Sequence, residues 1–262
     1  MGFLAGDIMK LKLSFLGTNG WYTTAAGNTV CATLETPGSL IVLDAGEGIA
    51  NLANPAKKRV DLFLSHFHLD HTFGLHLLPK LAGMGRITIF GQPGTRKALA
   101  TLVNHPFTAS FRELRAIGME VGVHELKHGR NRIKGADYSV VAAPLVHADP
   151  CWGYRFEAEG KSVAYCTDTG ACRNIVELAR GADALITECG LLPGMEGDSE
   201  WPHLAPETAA SLAREAGCKR LFLSHFAAHL YKTMEGRKKA ERAARKIFPR
   251  TFAARDGASF LI

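Results

Sequence analysis

The sequence predicts an α/β protein, and three observations carry that prediction. Short apolar runs of strand length alternate with stretches of helical spacing along the chain. Several of the strand-like runs stop at a His, Asp or Glu. No Pro- or Ser-rich linker divides the 262 residues, so residues 1–262 read as a single domain, with 1–8 an appendage or a mis-assigned start ahead of Met9.

The elements follow in order. Leu11 to Leu16 alternates apolar and polar residues and reads as a strand, and Gly17-Thr18-Asn19-Gly20 turns the chain. That turn offers backbone donors to a phosphate, but it has neither dinucleotide nor Walker spacing, and a plain turn fits equally well. Thr29–Glu35 and Ser39–Leu43 form a hairpin through Pro37-Gly38. Asp44 follows, either as a helix cap or as a carboxylate supporting a nearby metal ligand. The run Val60–Leu64 is a strand, and Thr72–Leu81 has the spacing of an amphipathic helix. Strand Ile87–Phe90 and a helix over Thr95–Val103 come next, then an irregular segment, 104–111, containing His105. Met119–Leu126 and Tyr138–Pro144 are strand-like, and Tyr154–Glu157 with Ser162–Tyr165 make a hairpin through Glu159-Gly160. Asn174–Ala179 is a short helix and Ala184–Glu188 a buried strand ending in a carboxylate. A Gly- and acid-rich loop, 190–201, precedes a helix over Pro206–Ala216 and the strand Lys219–Phe226. A helix over Lys232–Ile247 and a terminal hairpin, Thr251–Ile262, turning at Asp256-Gly257, complete the chain.

Between strand and helix lies Ser65-His66-Phe67-His68-Leu69-Asp70-His71. Four metal-ligating side chains in six residues suit a strand end, where the strand fixes the backbone and the loop turns the side chains inward. Neutral imidazoles with a carboxylate favour zinc or a similar borderline metal over calcium or magnesium. The strand that carries this motif has an echo: Leu-Phe-Leu-Ser-His-Phe occurs at 62–67 and again at 221–226.

Composition bounds the rest. Hydrophobic content of 47% is that of a globular protein, and no apolar run approaches a membrane span. The net charge of +6 mildly favours a small anionic substrate. Much of the excess sits in Arg237-Lys238-Lys239 through Arg245-Lys246, which reads as a solvated helix face. The six Cys form no C-x-x-C pair and read as reduced, buried and cytoplasmic. The N-terminus lacks a signal-peptide pattern. A homodimer is compatible with the sequence, which does not set the oligomeric state.

The candidate ligands, in chain order, are His66, His68, Asp70, His71, His147, Asp168 and His225. This H-x-H-x-D-H, His, Asp, His order, with Val-Leu-Asp-Ala-Gly at 42–46, resembles the metallo-β-lactamase superfamily over nearly the whole chain. The resemblance implies a four-layer αββα sandwich, two mixed β-sheets flanked by helices, with two metals at one edge. It implies His66, His68 and His147 on one metal, Asp70, His71 and His225 on the other, and Asp168 bridging, with a metal-bridging hydroxide as nucleophile. A bridging Asp168 argues against true β-lactamases, and His68, where the diiron branch has Glu, favours Zn2+ over Mn2+ or Fe. Thr187-Glu188-Cys189-Gly190 and the stretch from His203 to Phe226 resemble ribonuclease Z and its small phosphodiesterase relatives. By that resemblance Glu188 orients His203, His203 protonates the leaving oxygen, and Asp70 helps position or deprotonate the attacking water. The tRNA-gripping arm of ribonuclease Z has no room here: 21 positions separate His147 from Asp168, filled by one hairpin. The expectation is a phosphodiesterase for a small or cyclic diester, with nucleic acid not favoured. Carboxylic ester, lactone or sulfate-ester hydrolysis, ribonuclease Z-like RNA processing and a non-catalytic metal-binding role are the alternatives. Segments 104–111, 148–154 and 190–202 are the expected pocket walls, with Trp152, Tyr154 and Trp201 as candidate wall residues.

Overall fold

The computed structural model describes residues 11–53 and 58–262, so residues 1–8, read above as an appendage, lie outside it. The first strands are β1 (Lys12–Gly17), β2 (Asn19–Gly20), β3 (Cys31–Glu35), β4 (Ser39–Leu43), β5 (Arg59–Phe63), β6 (Arg86–Gly91) and β7 (Glu120–Glu125). Then come β8 (Asn131–Lys134), β9 (Ser139–Pro144), β10 (Trp152–Ala158), β11 (Lys161–Cys166), β12 (Ala184–Cys189), β13 (Leu221–Ala227), β14 (Thr251–Ala253) and β15 (Ser259–Leu261). The helices are α1 (Leu69–Thr72), α2 (Thr95–Leu102), α3 (Phe111–Ala116), α4 (Arg173–Ala179), α5 (Pro206–Ala216) and α6 (Met234–Arg245).

Two mixed sheets result. One runs β15-β1-β3-β4-β5-β6-β7 and the other β14-β13-β12-β11-β10-β9-β8, with β2 added to β13. Strands β4 to β7 are mutually parallel, as are β11 to β14, while the hairpin partners are antiparallel. The inner faces bury Phe15, Phe63, Phe90, Tyr138, Tyr154, Phe156 and Phe222 between the sheets. Phe63 stacks on Phe90 at 4.5 Å and meets Tyr154 and Phe156 edge-on at 5.4 and 5.1 Å. Each such ring contributes about 1.5–3 kcal/mol by burial. Helices α4, α5 and α6 cover the outside of the second sheet, and the α2–α3 side covers the first, giving four layers around three apolar cores. Among the described residues, no helix is long and apolar enough to cross a membrane.

Several local expectations need correction. The helix expected over Thr72–Leu81 is instead the short α1 followed by a 3-10 helix, Phe73–Met84. Pro79 lies inside it and has no N–H for an α-helical bond. Gly74 also presses on the next loop, where a Cβ would meet the Gly46 carbonyl at 2.3 Å. The expected terminal hairpin does not pair with itself: β14 joins β13 in the second sheet, and β15 joins β1 in the first. Asp256-Gly257 does turn the chain, but as the crossing between sheets; Gly257 takes a φ of +80° and donates to Phe15 O. The early glycine turn contains β2, and the irregular segment runs into α3, which is opened by a Ser110–Glu113 capping box. Strand β8 was hidden because its alternation is of half-exposed residues.

Arg237 is the sharpest departure. It is fully buried rather than on a solvated face. Its guanidinium donates to Thr18 Oγ1 at 2.7 Å and to Asn19 Oδ1, and lies over the Phe226 ring at 4.7 Å. Burial lowers its pKa to about 10 against the support of Asp256. Neighbouring Lys238 and Lys239 do face water. All six cysteines are free thiols, five buried and Cys172 half-buried.

Candidate active site

The site is built where parallel strands end. Strand β5 runs out at Phe63 and delivers His66, β4 delivers Asp44, β11 delivers Asp168, and β12 and β13 carry Glu188 and His225 near their ends. The carboxyl ends of parallel strands open a crevice because the chain must leave the sheet there. Asp44, Asp168 and His225 have φ of +57°, +50° and +45°, a left-handed conformation that costs a non-glycine residue about 1 kcal/mol or more. Gly20 is required beside them: a Cβ there would lie 2.4 Å from His225 Cε1.

The seven expected ligand residues fall into two overlapping groups. Donor atoms of His66, His68, His147 and Asp168 lie within 4.8 Å of one another, as do those of Asp70, His71, Asp168 and His225. Asp168 belongs to both. Its Oδ2 sits 3.2 Å from His66 Nε2 and 3.0 Å from His71 Nε2, and its Oδ1 2.7 Å from His225 Nδ1. Asp70 Oδ2 lies 3.2 Å from His225 Nε2 and accepts from the Trp21 amide at 2.6 Å.

Supporting contacts fix the rings. Buried Asp44 accepts from Ser65 N (2.7 Å), Ser65 Oγ (2.8 Å), Tyr165 Oη (2.7 Å) and His71 Nδ1 (2.9 Å), leaving His71 Nε2 to face the cluster. Asp44 thus orients the His71 ring, and no side chain caps the 3-10 turn that follows. His68 Nε2 meets Asp149 at 2.8 Å, which leaves its Nδ1 free.

The donor set fits metal ions. Both nitrogens of His147 are buried without a hydrogen-bond partner, and His66 Nε2, Asp168 Oδ1 and His225 Nδ1 are buried facing only other members of these groups, without hydrogen-bond geometry. Buried polar atoms are rarely left so, and a cation between them satisfies several at once. The electrostatics differ on the two sides. Burial pushes His147 down to about 4 and lowers His66, so both are free bases ready to ligate. Burial also opposes charge on His225 and His71, but Asp168 holds His225 at about 10, and Asp70 with Asp44 raises His71. Asp70 and Asp168 are buried yet held below the usual carboxylate range by His71 and His225.

Glu188 and His203 adjoin these groups. Glu188 is fully buried and both its oxygens contact His203 Nδ1, at 2.9 and 3.0 Å. It also accepts from Thr169 N, Gly190 N and Leu204 N. A Cβ on Gly190 would fall 2.6 Å from the Glu188 carboxylate. Burial lowers the His203 pKa, but the Glu188 charge and hydrogen bond more than reverse this, and the net shift is upward. The imidazole is thereby turned with Nε2 as its remaining functional nitrogen, in a cavity of about 740 Å³ that also exposes His68, Asp70, His147, Asp168 and His225.

Of the candidate walls, Trp201 lines this cavity. Trp152 and Tyr154 do not: both are buried between the sheets, where Tyr154 Oη donates to Leu64 O at 2.5 Å and Trp152 N to Ser65 O at 2.9 Å. Segment 104–111 is not part of the cavity, and His105 there pairs with Glu113. Sequence reasoning missed Trp21 and His229, whereas Asp149 and Met195 fall within the 148–154 and 190–202 segments read as pocket walls, and Met195 does line the cavity.

Comparison with known proteins identifies the family. The family description "Beta-lactamase superfamily domain" matches residues 40–226, and the chain belongs to that superfamily. Ribonuclease Z of Thermococcus kodakarensis is 30% identical over 273 aligned positions, covering 82% of this chain and 83% of the relative, so within the superfamily the chain belongs with the ribonuclease Z relatives. Ribonuclease Z of Methanosarcina acetivorans is 27% identical over 306 aligned positions, covering 94% of this chain and 96% of the relative. The metallo-β-lactamase fold protein YhfI from Bacillus subtilis superposes with a TM-score of 0.76 at 17% identity, covering 95% of this chain and 99% of its own. A diphosphatase from the PhnP family superposes with a TM-score of 0.72 at 19% identity, covering 97% and 98%. The fold is thus the metallo-β-lactamase fold, and the protein is a metal-dependent hydrolase.

Proposed function

We propose that this protein is a two-metal phosphodiesterase acting on a small or cyclic phosphodiester. The observation that carries the reading is the Glu188–His203 pair, a buried carboxylate on Nδ1 of an imidazole beside the metal-donor groups. In this reading His66, His68 and His147 would hold one ion and Asp70, His71 and His225 the other, with Asp168 available to both groups. The imidazole-rich set favours zinc. Two divalent ions bound there would supply positive charge for the phosphoryl oxygens and would lower the pKa of the attacking water.

The side chains do the remaining work. Asp70, fixed by the Trp21 amide, positions the water and accepts its proton. The water oxygen bonds to phosphorus and the ester P–O bond breaks. The alkoxide that departs is strongly basic, and His203 delivers its Nε2 proton to it. Glu188 stabilises the charged imidazolium before transfer and holds its ring in place afterwards. The cavity, at about 740 Å³, matches a small molecule.

A second reading, RNA processing, is favoured by the ribonuclease Z relatives. Against it stands the interval from His147 to Asp168, which holds only the β10–β11 hairpin. The test is a leaving-group comparison with zinc-loaded protein. His203→Ala is expected to cost an alkyl diester roughly 100-fold or more in kcat and a nitrophenyl diester under tenfold, because nitrophenolate leaves without a proton. Equal losses on both, with two zinc ions retained, would remove His203 as the acid. Cleavage of precursor tRNA at a rate exceeding that of small diesters would favour the second reading.

A further inference from the structure

The cavity walls beyond the donor groups are of two kinds. Trp21, Leu191, Met195, Trp201 and Leu230 are apolar, and Glu196 and Asp198 are acidic. The two indoles are 69% and 54% exposed, more than a packing role needs. They flank different donor groups. Trp201 lies parallel to the His68 ring at 5.8 Å and edge-on to His147 at 5.8 Å. Trp21 is held by its amide on Asp70, with its ring edge-on to His229 at 5.4 Å.

The charge pattern is as telling. Among the described residues, no Lys or Arg lines this cavity, although the chain as a whole carries +6. Recognition of a polyanion relies on cationic side chains along the backbone. Here a second phosphate would meet the carboxylates of Glu196 and Asp198. Those carboxylates suit N–H donors, as on an amino-substituted base. Exposed indoles suit a flat ring, since stacking on an aromatic side chain tolerates any base.

Resting on the phosphodiesterase reading, we propose that the cavity selects diesters with one phosphate and a flat, amino-bearing heteroaromatic ring, nucleobase-like in chemistry, and rejects those carrying a second phosphate. Trp21 and Trp201 bind the ring, and Glu196 and Asp198 both accept from it and repel further negative charge.

The test measures kcat/KM of the zinc-loaded protein on four diesters. They are an amino-bearing nucleoside cyclic monophosphate, the same molecule with an added terminal phosphate, a ring-free alkyl cyclic phosphate, and bis(p-nitrophenyl) phosphate. Stacking of about 1–3 kcal/mol corresponds to a preference of roughly 5- to 150-fold for the nucleoside over the ring-free diester. The added phosphate is expected to lower kcat/KM at least about tenfold at low salt, and less at high salt. Trp201→Ala is expected to shrink the ring preference to within about threefold, and the double variant Glu196→Gln with Asp198→Asn to recover at least about threefold on the doubly charged substrate. If the ring-free or doubly charged diester is turned over as well as the nucleoside while bis(p-nitrophenyl) phosphate is also cleaved, this selectivity is wrong and the phosphodiesterase reading survives. If none of the four is cleaved by protein holding two zinc ions, both fall. The ratios within the unaltered protein decide the matter even where a variant fails to fold.

Discussion

Replacing Asp44 by asparagine and by alanine separates stability from metal binding. Asp44 lies fully buried and receives four donors, from Ser65 N, Ser65 Oγ, Tyr165 Oη and His71 Nδ1. Alanine leaves them facing an apolar gap. Breaking a buried charged contact by removing one partner costs about 3–5 kcal/mol, and that is the expected loss for Asp44→Ala in urea unfolding of the metal-free protein. Asparagine keeps the shape and one acceptor, which Ser65 N claims. Its amide then points at two hydroxyls, which can rotate to accept, and at His71 Nδ1, which can accept only if its proton moves to Nε2. A protonated Nε2 cannot ligate. Loss of such an orienting partner typically costs 10- to 100-fold in metal affinity. Asp44→Asn should therefore lose about 1–2 kcal/mol of stability, yet bind its weaker zinc ion at least about tenfold less tightly. The assay is chelator competition with a zinc-sensitive dye, run beside urea melts. Wild-type zinc affinity in Asp44→Asn, within about threefold, would refute both the tautomer argument and His71 Nε2 as a ligand.

Other expectations follow from the same contacts. Gly20→Ala places a methyl 2.4 Å from His225 Cε1; overpacking should cost about 1–3 kcal/mol and reduce bound zinc from two equivalents toward one, measured by elemental analysis after dialysis. Arg237→Met removes two hydrogen bonds to the Thr18–Asn19 turn and should lower unfolding free energy by roughly 2–4 kcal/mol, whereas Lys238→Met on the exposed face should change it by under about 0.5 kcal/mol. Asp137 accepts from Thr36 Oγ1, Gly38 N and Ser39 Oγ, which depress its pKa against partial burial. A depressed folded-state pKa gives stability present above the ordinary carboxylate pKa and lost as pH falls through the folded value. Asp137→Asn should thus lose roughly 1–2 kcal/mol at neutral pH and converge with wild type in acid, as followed by thermal melts across pH.

Much of the site was legible because its chemistry is concentrated. Four ligand-type residues within His66–His71 stand out in any chain, and His147, Asp168 and His225 each follow or end an apolar run that sets them at a sheet edge. Glu188 and His203 were legible only through the resemblance of Thr187–Gly190 and His203–Phe226 to ribonuclease Z, since a carboxylate ending a strand and a lone His before a helix carry no such signal by themselves. What stayed hidden depends on long-range packing. Arg237 sits among lysines in a strongly amphipathic helix, and nothing local says that its guanidinium reaches Asn19, 218 positions away. Trp152 and Trp201 look alike in sequence, but only Trp201 faces the cavity, because Trp152 lies in β10 with its side chain between the sheets. The terminal segments read as a hairpin from the Asp-Gly turn, yet each finds a better partner in a different sheet.

The placement of the donors has a mechanical consequence. The first sheet's side supplies His66 and His68 to one group and Asp70 and His71 to the other; the second sheet's side supplies His147, His225 and the shared Asp168. Neither half of the sandwich completes a group alone. Beneath them, Tyr154 to Leu64, Trp152 to Ser65 and Tyr165 to Asp44 already tie the halves together. An ion seated in either group acts as a further staple across that seam, so its affinity and the adhesion of the two sheets are one free energy. A substitution anywhere in the inter-sheet core that lets the halves slip is felt first as a loosened ion.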